Sequence, residues 1–242
     1  MPLVWSPEQL LAAFCVVVVG ALVQGSVGMG LGLVTVPFLL QIDPVFVPGP
    51  ILAAGLLLNL LMVRRERQEL SFFGVKWGVV GRVLGTIIVS LTLSQLPQDQ
   101  AAIAAGLAIL VAVGLSFSGL SVEPTIGALL GAGTVSGIMG TLASVGGPPM
   151  ALLFQKQDGP RLRATMSGYL LLGSLASVLG LVSVGSFRLP EVQATLLFLP
   201  AILVGYALSG RMVSLLDAGY TRSAVLILSA ASSVLLLART LG

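Results

Sequence analysis

The chain is a series of apolar runs, each near the length of a bilayer crossing, and that series leaves it very few folds. The runs fall at roughly 8–23, 28–41, 46–63, 72–95 and 100–118, then at 124–140, 146–155, 162–184, 191–215 and 221–240. A helical crossing takes about 20 residues, and three runs in each set meet or approach that length. Charged residues are only 9% of the 242 positions against 56% hydrophobic, where a soluble domain carries about a quarter charged. A soluble globular protein is therefore excluded, and an all-α integral membrane fold is expected. The first run opens on Ser6-Pro7-Glu8, an N-cap with proline at the first helical position and an early acid. It lacks the positive start and small-residue cleavage site of a secretory leader, and reads as a retained membrane helix.

The two sets of runs align. Gly25, Gly28 and Pro37 recur as Gly137, Gly140 and Pro149, each 112 positions later. Past a three-residue insertion, Asp43 maps onto Asp158 and Asn59 onto Ser174. Two repeats of about five helical segments are expected, residues 1–120 and 121–242, within one membrane domain. In each repeat the runs flanking the glycine-rich stretch are short, and read as thin crossings or as the two arms of a re-entrant hairpin.

The basic residues give the repeats opposite orientations. Arg64, Arg65, Arg67 and Lys76 cluster after the third run, so that loop is expected in the cytoplasm by the positive-inside rule. Lys156, Arg161 and Arg163 lie in the turn after the seventh run, and Arg211 and Arg222 flank the turn after the ninth. Only Arg188 and Arg239 fall on the other side, which also receives both termini. The turn after each short run is bare of Lys and Arg in the first repeat and carries three in the second, and the next turn shows the reverse bias. Inverted-topology repeats produce that antisymmetry. The net charge is only +3 and sits between apolar runs, so it reports orientation and excludes a nucleic-acid partner.

Two glycine-rich breaks at matching places in inverted repeats bring two hairpin tips together near the bilayer centre. Irregular backbone is tolerated there only when buried in protein or lining a cavity. A short helix beginning at such a tip turns its free N–H groups and positive dipole end toward the cavity, which favours an anion. In the first stretch Gly28 and Gly30 allow close backbone approach, Ser26 offers a hydroxyl and Gln24 an amide. In the second, Thr141 and Ser144 offer hydroxyls and Gly146-Gly147-Pro148-Pro149 opens the short helix. The competing reading is helix packing, which must account for many of the 30 glycines, such as Gly106 and Gly180. A phosphate-loop reading of "GMGLG" lacks the βαβ unit and the Lys-Ser/Thr that would follow it.

Arg82 lies about ten residues into the fourth run, near mid-membrane at about 1.5 Å per residue. An intramembrane arginine is a functional hypothesis by default, against snorkelling or carbonyl capping, and its fork suits an oxyanion. Asn59 and its repeat partner Ser174 either line the path or bridge helices. All nine carboxylates fall in turns or at run ends, and there is no histidine. No central group is left to relay a proton or hold Na⁺, and no metal or other cofactor is expected. Cys15, the single cysteine, lies in an apolar run and permits no disulfide within one chain.

The stretches "GALVQGSVGMGLGLVTVPFLL" and "ILAAGLLLNLLMVRRER" resemble the sulfite exporter TauE/SafE family of bacterial membrane transporters, and "GTVSGIMGTLASVGGPPMALLF" resembles its second-half motif. The resemblance spans nearly the whole chain. It implies a multi-pass protein of the bacterial plasma membrane that exports sulfite or small organosulfonates from the cytoplasm. The expected mechanism is alternating access, with the anion between two half-helix N-termini at the midplane. The alternatives are an anion channel on the same scaffold and a transporter of another small anion. An intramembrane enzyme lacks any nucleophile–base pair but Ser–Lys, with both lysines near the inner edge, so no enzymatic activity is expected. A purely structural scaffold leaves the two matched stretches and Arg82 unexplained. The expected partners are a sulfite- or sulfonate-like anion, the lipid bilayer and, in an oligomeric state the sequence leaves open, a second copy as a homodimer.

Overall fold

The computed structural model describes residues 5–93 and 98–216. The tenth expected run with Asp217, Arg222 and Arg239, the turn at 94–97 and both termini lie outside the described residues. Among the described residues every regular element is helical: α1 (Pro7–Val27), α2 (Leu31–Ile42), α3 (Gly49–Glu66), α4 (Phe72–Leu93), α5 (Gln98–Phe117), α6 (Ile126–Ala143), α7 (Gly147–Phe154), α8 (Gly159–Ser183) and α9 (Leu189–Leu216). Short 3-10 turns at Pro44–Phe46 and Arg67–Glu69 flank α3. Six of these helical stretches are long and apolar enough to cross a membrane, while α2 and α7, at 12 and 8 residues, are not. The chain is thus a multi-pass membrane protein. Its outward faces fit that setting, since Leu11, Phe72, Leu179 and Leu196 are exposed and apolar.

Helix α1 starts as the sequence indicates, with a capping box in which Ser6 accepts from Gln9 N–H and the Gln9 side chain accepts from Ser6 N–H. It runs on through Gln24, Gly25 and Ser26 before breaking at Gly28, which takes the left-handed conformation at φ +98. Gly30, at φ +128, then opens α2. An L side chain rarely adopts either conformation. The second break falls one turn later than the sequence match places it. Gly137 and Gly140 lie inside α6, and the left-handed position is Ser144, at φ +55.

Each short helix doubles back along the helix before it. Trp5, just ahead of α1, donates through Nε1 to Asp43 Oδ2 at the end of α2, at 2.8 Å. Val122 N–H, just ahead of α6, donates to the Leu152 carbonyl in α7 at 3.2 Å.

The larger contacts are reciprocal. Helix α4 packs on α6 and α9 packs on α1, α3 packs on α8 between them, and α4 meets α8 as α9 meets α3. The fourth helix of each half therefore lies on the first helix of the other. Missing Cβ atoms make the first of these contacts close. A Cβ on Gly81 or Gly85 would overlap the Leu130 or Thr134 carbonyl, and one on Gly133 or Gly137 the Gly78 or Arg82 carbonyl. Close backbone approach of this kind replaces the hydrophobic drive that lipid removes. Three cores result. One joins α1, α2, α3 and α9 around Phe46, Leu58 and Phe198, a second joins α4, α6, α7 and α8 around Leu129, Met150 and Tyr169, and a third ties α2 to α6 through α5 around Val36, Ile109 and Met139.

Candidate functional site

The two helix breaks meet. A Cβ on Gly32, in the first turn of α2, would overlap the Ser144 carbonyl, and one on Gly147 would press on Met29 at 3.1 Å. Beside this meeting point lies a cavity of about 30 Å³, space for roughly two waters. One wall is Gln24, Gly30–Leu33 and Asn59, from α1, α2 and α3; the other is Arg82, Ser144–Pro148 and Ser174, from α4, the α6–α7 break and α8. Eight of the eleven residues singled out from the sequence line it: Gln24, Gly30, Asn59, Arg82, Ser144, Gly146, Gly147 and Ser174.

Arg82 is the dominant charge. It is 1% exposed, and among the described residues no carboxylate pairs with it. Nη1 donates to Ser136 Oγ at 3.0 Å, and the guanidinium carbon lies 5.5 Å from the Tyr169 ring centroid. Ser136 Oγ also accepts from Tyr169 OH at 2.6 Å and donates to the Gly146 carbonyl. That hydroxyl is thereby fully used. The Nε of Arg82 has no partner. A buried arginine with no counter-ion and an unused donor is expensive in a low-dielectric site, and an anion in the cavity would supply the missing charge. Gly140, Gly146 and Gly173 leave the volume the side chain fills, since a Cβ at any of them would overlap it.

The breaks add donors unequally. Gln24 Oε1 accepts from Leu31 N–H at 3.0 Å, so the side chain caps α2, while Gln24 Nε2 donates to Asn59 Oδ1 at 2.9 Å. Gln24 thus holds the first break in place, and Asn59 keeps its Nδ2 for the cavity. In α7 the prolines 148 and 149 have no N–H, so Gly146 and Gly147 are left to supply backbone donors there. The α2 and α7 N-termini still direct their positive dipole ends into the same space.

Three expected residues stand elsewhere. Ser26 donates to the Leu22 carbonyl and reaches the Ser209 carbonyl, bridging α1 to α9. Thr141 bonds Thr86 at 3.2 Å and Ser177 at 3.0 Å, joining α6 to α4 and α8. Gly28 packs against Arg163 at the start of α8. Sequence reasoning did not find Ser136, Tyr169 or Gly173. Tyr169 offered one signal, a tyrosine inside an apolar run.

A family model described as sulfite exporter TauE/SafE matches residues 12–236, nearly the whole chain. Neither the curated proteins nor the solved structures contain a match to it.

Proposed function

The chain belongs to the sulfite exporter TauE/SafE family, and from that premise we propose that it exports a small sulfur oxyanion, sulfite or an organosulfonate, from the cytoplasm by alternating access. The observation that carries the assignment is Arg82: buried, without a described carboxylate partner, and lining the cavity with its guanidinium against Gly146 at the start of α7. A guanidinium fork matches an oxyanion bearing several equivalent oxygens. Gly146 and Gly147 N–H, Asn59 Nδ2 and Ser174 Oγ complete the donor set; Gln24, Gly30 and Ser144 shape it. Ser26, Gly28 and Thr141 hold the surrounding helices.

The reciprocal packing of α4 on α6 and α9 on α1 supports two inverted repeats. It also changes which bodies would move. Two of the cores group α1–α3 with α9 and α4 with α6–α8, while the third ties α2 to α6 through α5, so the rocking units would be drawn from both repeats and the α2–α5–α6 packing would have to shift as they move. The contact of Glu66 with Arg163 brings together two basic turns assigned to one side, which supports placing both in the cytoplasm of a bacterial inner-membrane protein. An inside-negative potential would then drive an anion outward with about 2.3 kcal/mol per charge per 100 mV.

The test is efflux from proteoliposomes loaded with sulfite. Arg82→Ala is expected to lower the rate by about tenfold or more, the scale of one lost charged hydrogen bond, with melting in detergent unchanged or raised. Undiminished efflux would remove Arg82 from the site. Saturable flux with trans-stimulation fits a carrier, and single-channel currents would transfer the assignment to a channel.

A further inference from the structure

We propose that Arg163 is an anion-exchange site at the cytoplasmic end of the transport path, occupied at rest by the tethered carboxylate of Glu66. An entering oxyanion replaces that carboxylate and so unlatches the way to Arg82. The proposal rests on the cavity being the anion site.

The position follows from helix geometry. Asn59 and Glu66 lie on one face of α3, two turns or about 10.5 Å apart. Arg163 and Leu170 stand in the same relation on α8, and Asn59 and Leu170 both line the cavity. Because α3 packs on α8, the Glu66–Arg163 pair closes their groove two turns from the cavity. At the same end of α3 the 64–69 turn borders an open recess of about 300 Å³ lined by Arg64, Arg65 and Arg67 together with Glu66 and Glu69. Three arginines against two glutamates make that recess a collector of anions.

The chemistry of the pair is that of a substitutable ligand. Arg163 is only 6% exposed. Its Nε donates to Glu66 Oε1 at 2.9 Å, and Arg65 Nε approaches the same oxygen at 3.6 Å. A carboxylate and a sulfur oxyanion offer a guanidinium the same paired oxygens. Exchange therefore leaves Arg163 paired throughout, whereas simple opening would strand a buried charge.

The pair also bears on the first helix break. A Cβ on Gly28 would stand 3.0 Å from Arg163 Cα, and Arg65 Nη2 donates to the Gly25 carbonyl at 2.5 Å. Moving Glu66 thus removes the tether between α3 and the Arg163 that packs on Gly28 at the end of α1, while Arg65 keeps its bonds to the Gly25 carbonyl and Ser209 Oγ. The opposite break is held differently. There Ser144 Oγ donates to the Pro48 carbonyl at 2.8 Å, a neutral contact that an anion has no chemical reason to displace.

The test uses the full chain with Cys15→Ser and Leu170→Cys, in sealed vesicles of each orientation, and an impermeant thiosulfonate reagent. Glu66→Gln is expected to speed labelling of the Leu170→Cys parent from the basic-loop side by about tenfold, with labelling from the other side unchanged. Arg163→Gln should do the same, and Glu66→Asp should behave as the parent. Sulfate, an oxyanion inert to the reagent, should speed labelling of the parent and add nothing in Glu66→Gln. Parent labelling insensitive to sulfate, or unaltered in both Gln variants, would overturn the latch. The sulfate arm needs only the folded parent, so it decides even if the Gln variants fail to insert. Labelling requires no transport, so a parent that fails to export sulfite refutes the transport assignment without obscuring this result.

Discussion

Three glycines, Gly140, Gly146 and Gly173, surround the Arg82 side chain where a methyl group would overlap it, so the guanidinium's place depends on residues that contribute volume rather than bonds. Gly173→Ala should therefore displace Arg82 and lose most sulfite efflux, with overpacking of about 1–3 kcal/mol seen in melting. Gly114→Ala is the matched control. Its added Cβ meets nothing within 4 Å, so flux and melting should stay at or slightly above the parent values. Arg82 was legible in the sequence because a charge in an apolar run has few innocent explanations. Ser136 was not. A serine among glycines and valines carries no sign of its partners until α4, α6 and α8 are placed together. The same blindness assigned Ser26 and Thr141 to the ligand when neighbouring helices use their hydroxyls.

The breaks between α1 and α2 and between α6 and α7 illustrate what a sequence match preserves and what it loses. The 112-residue offset finds both segments but misses a four-residue shift between them. Glycine at 137 and 140 suggests a tip, whereas in the fold Gly137 admits the α4 backbone and Gly140 the Arg82 guanidinium. The turn itself is made by Ser144, whose φ of +55 costs a non-glycine residue roughly 1–2 kcal/mol. Its bond to the Pro48 carbonyl offsets about 1 kcal/mol of that. Ser144→Gly should accordingly leave the melting temperature close to wild type, because strain and hydrogen bond disappear together. Ser144→Val keeps the strain, adds a β-branch and loses the bond, and should cost at least about 2 kcal/mol in the same melt.

At the scale of the molecule, the order of the nine described helices followed from the apolar runs, while the pairing of α4 with α6 and of α9 with α1 did not. Nothing along the chain says that a helix prefers the opposite half. That preference comes from the fit of Gly81 and Gly85 to the α6 backbone, and of Gly205 to the Val18 carbonyl and Ala21 on α1. A chain cut in the 118–125 loop should test the exchange. Each fragment made alone should be proteolysed, and the two made together should co-purify and restore efflux, whereas a stable lone fragment would contradict the exchange. There is also a consequence in time. Helix α1 ends at Val27 and its main partner, α9, begins at Leu189. About 160 residues must be synthesised in between, which takes roughly 10–30 s at ordinary translation rates. Through that interval the face of α1 that will receive Gly205 has only lipid, or the insertion machinery, to lie against, so the newborn chain is most vulnerable to quality-control proteases just before its ninth helix emerges.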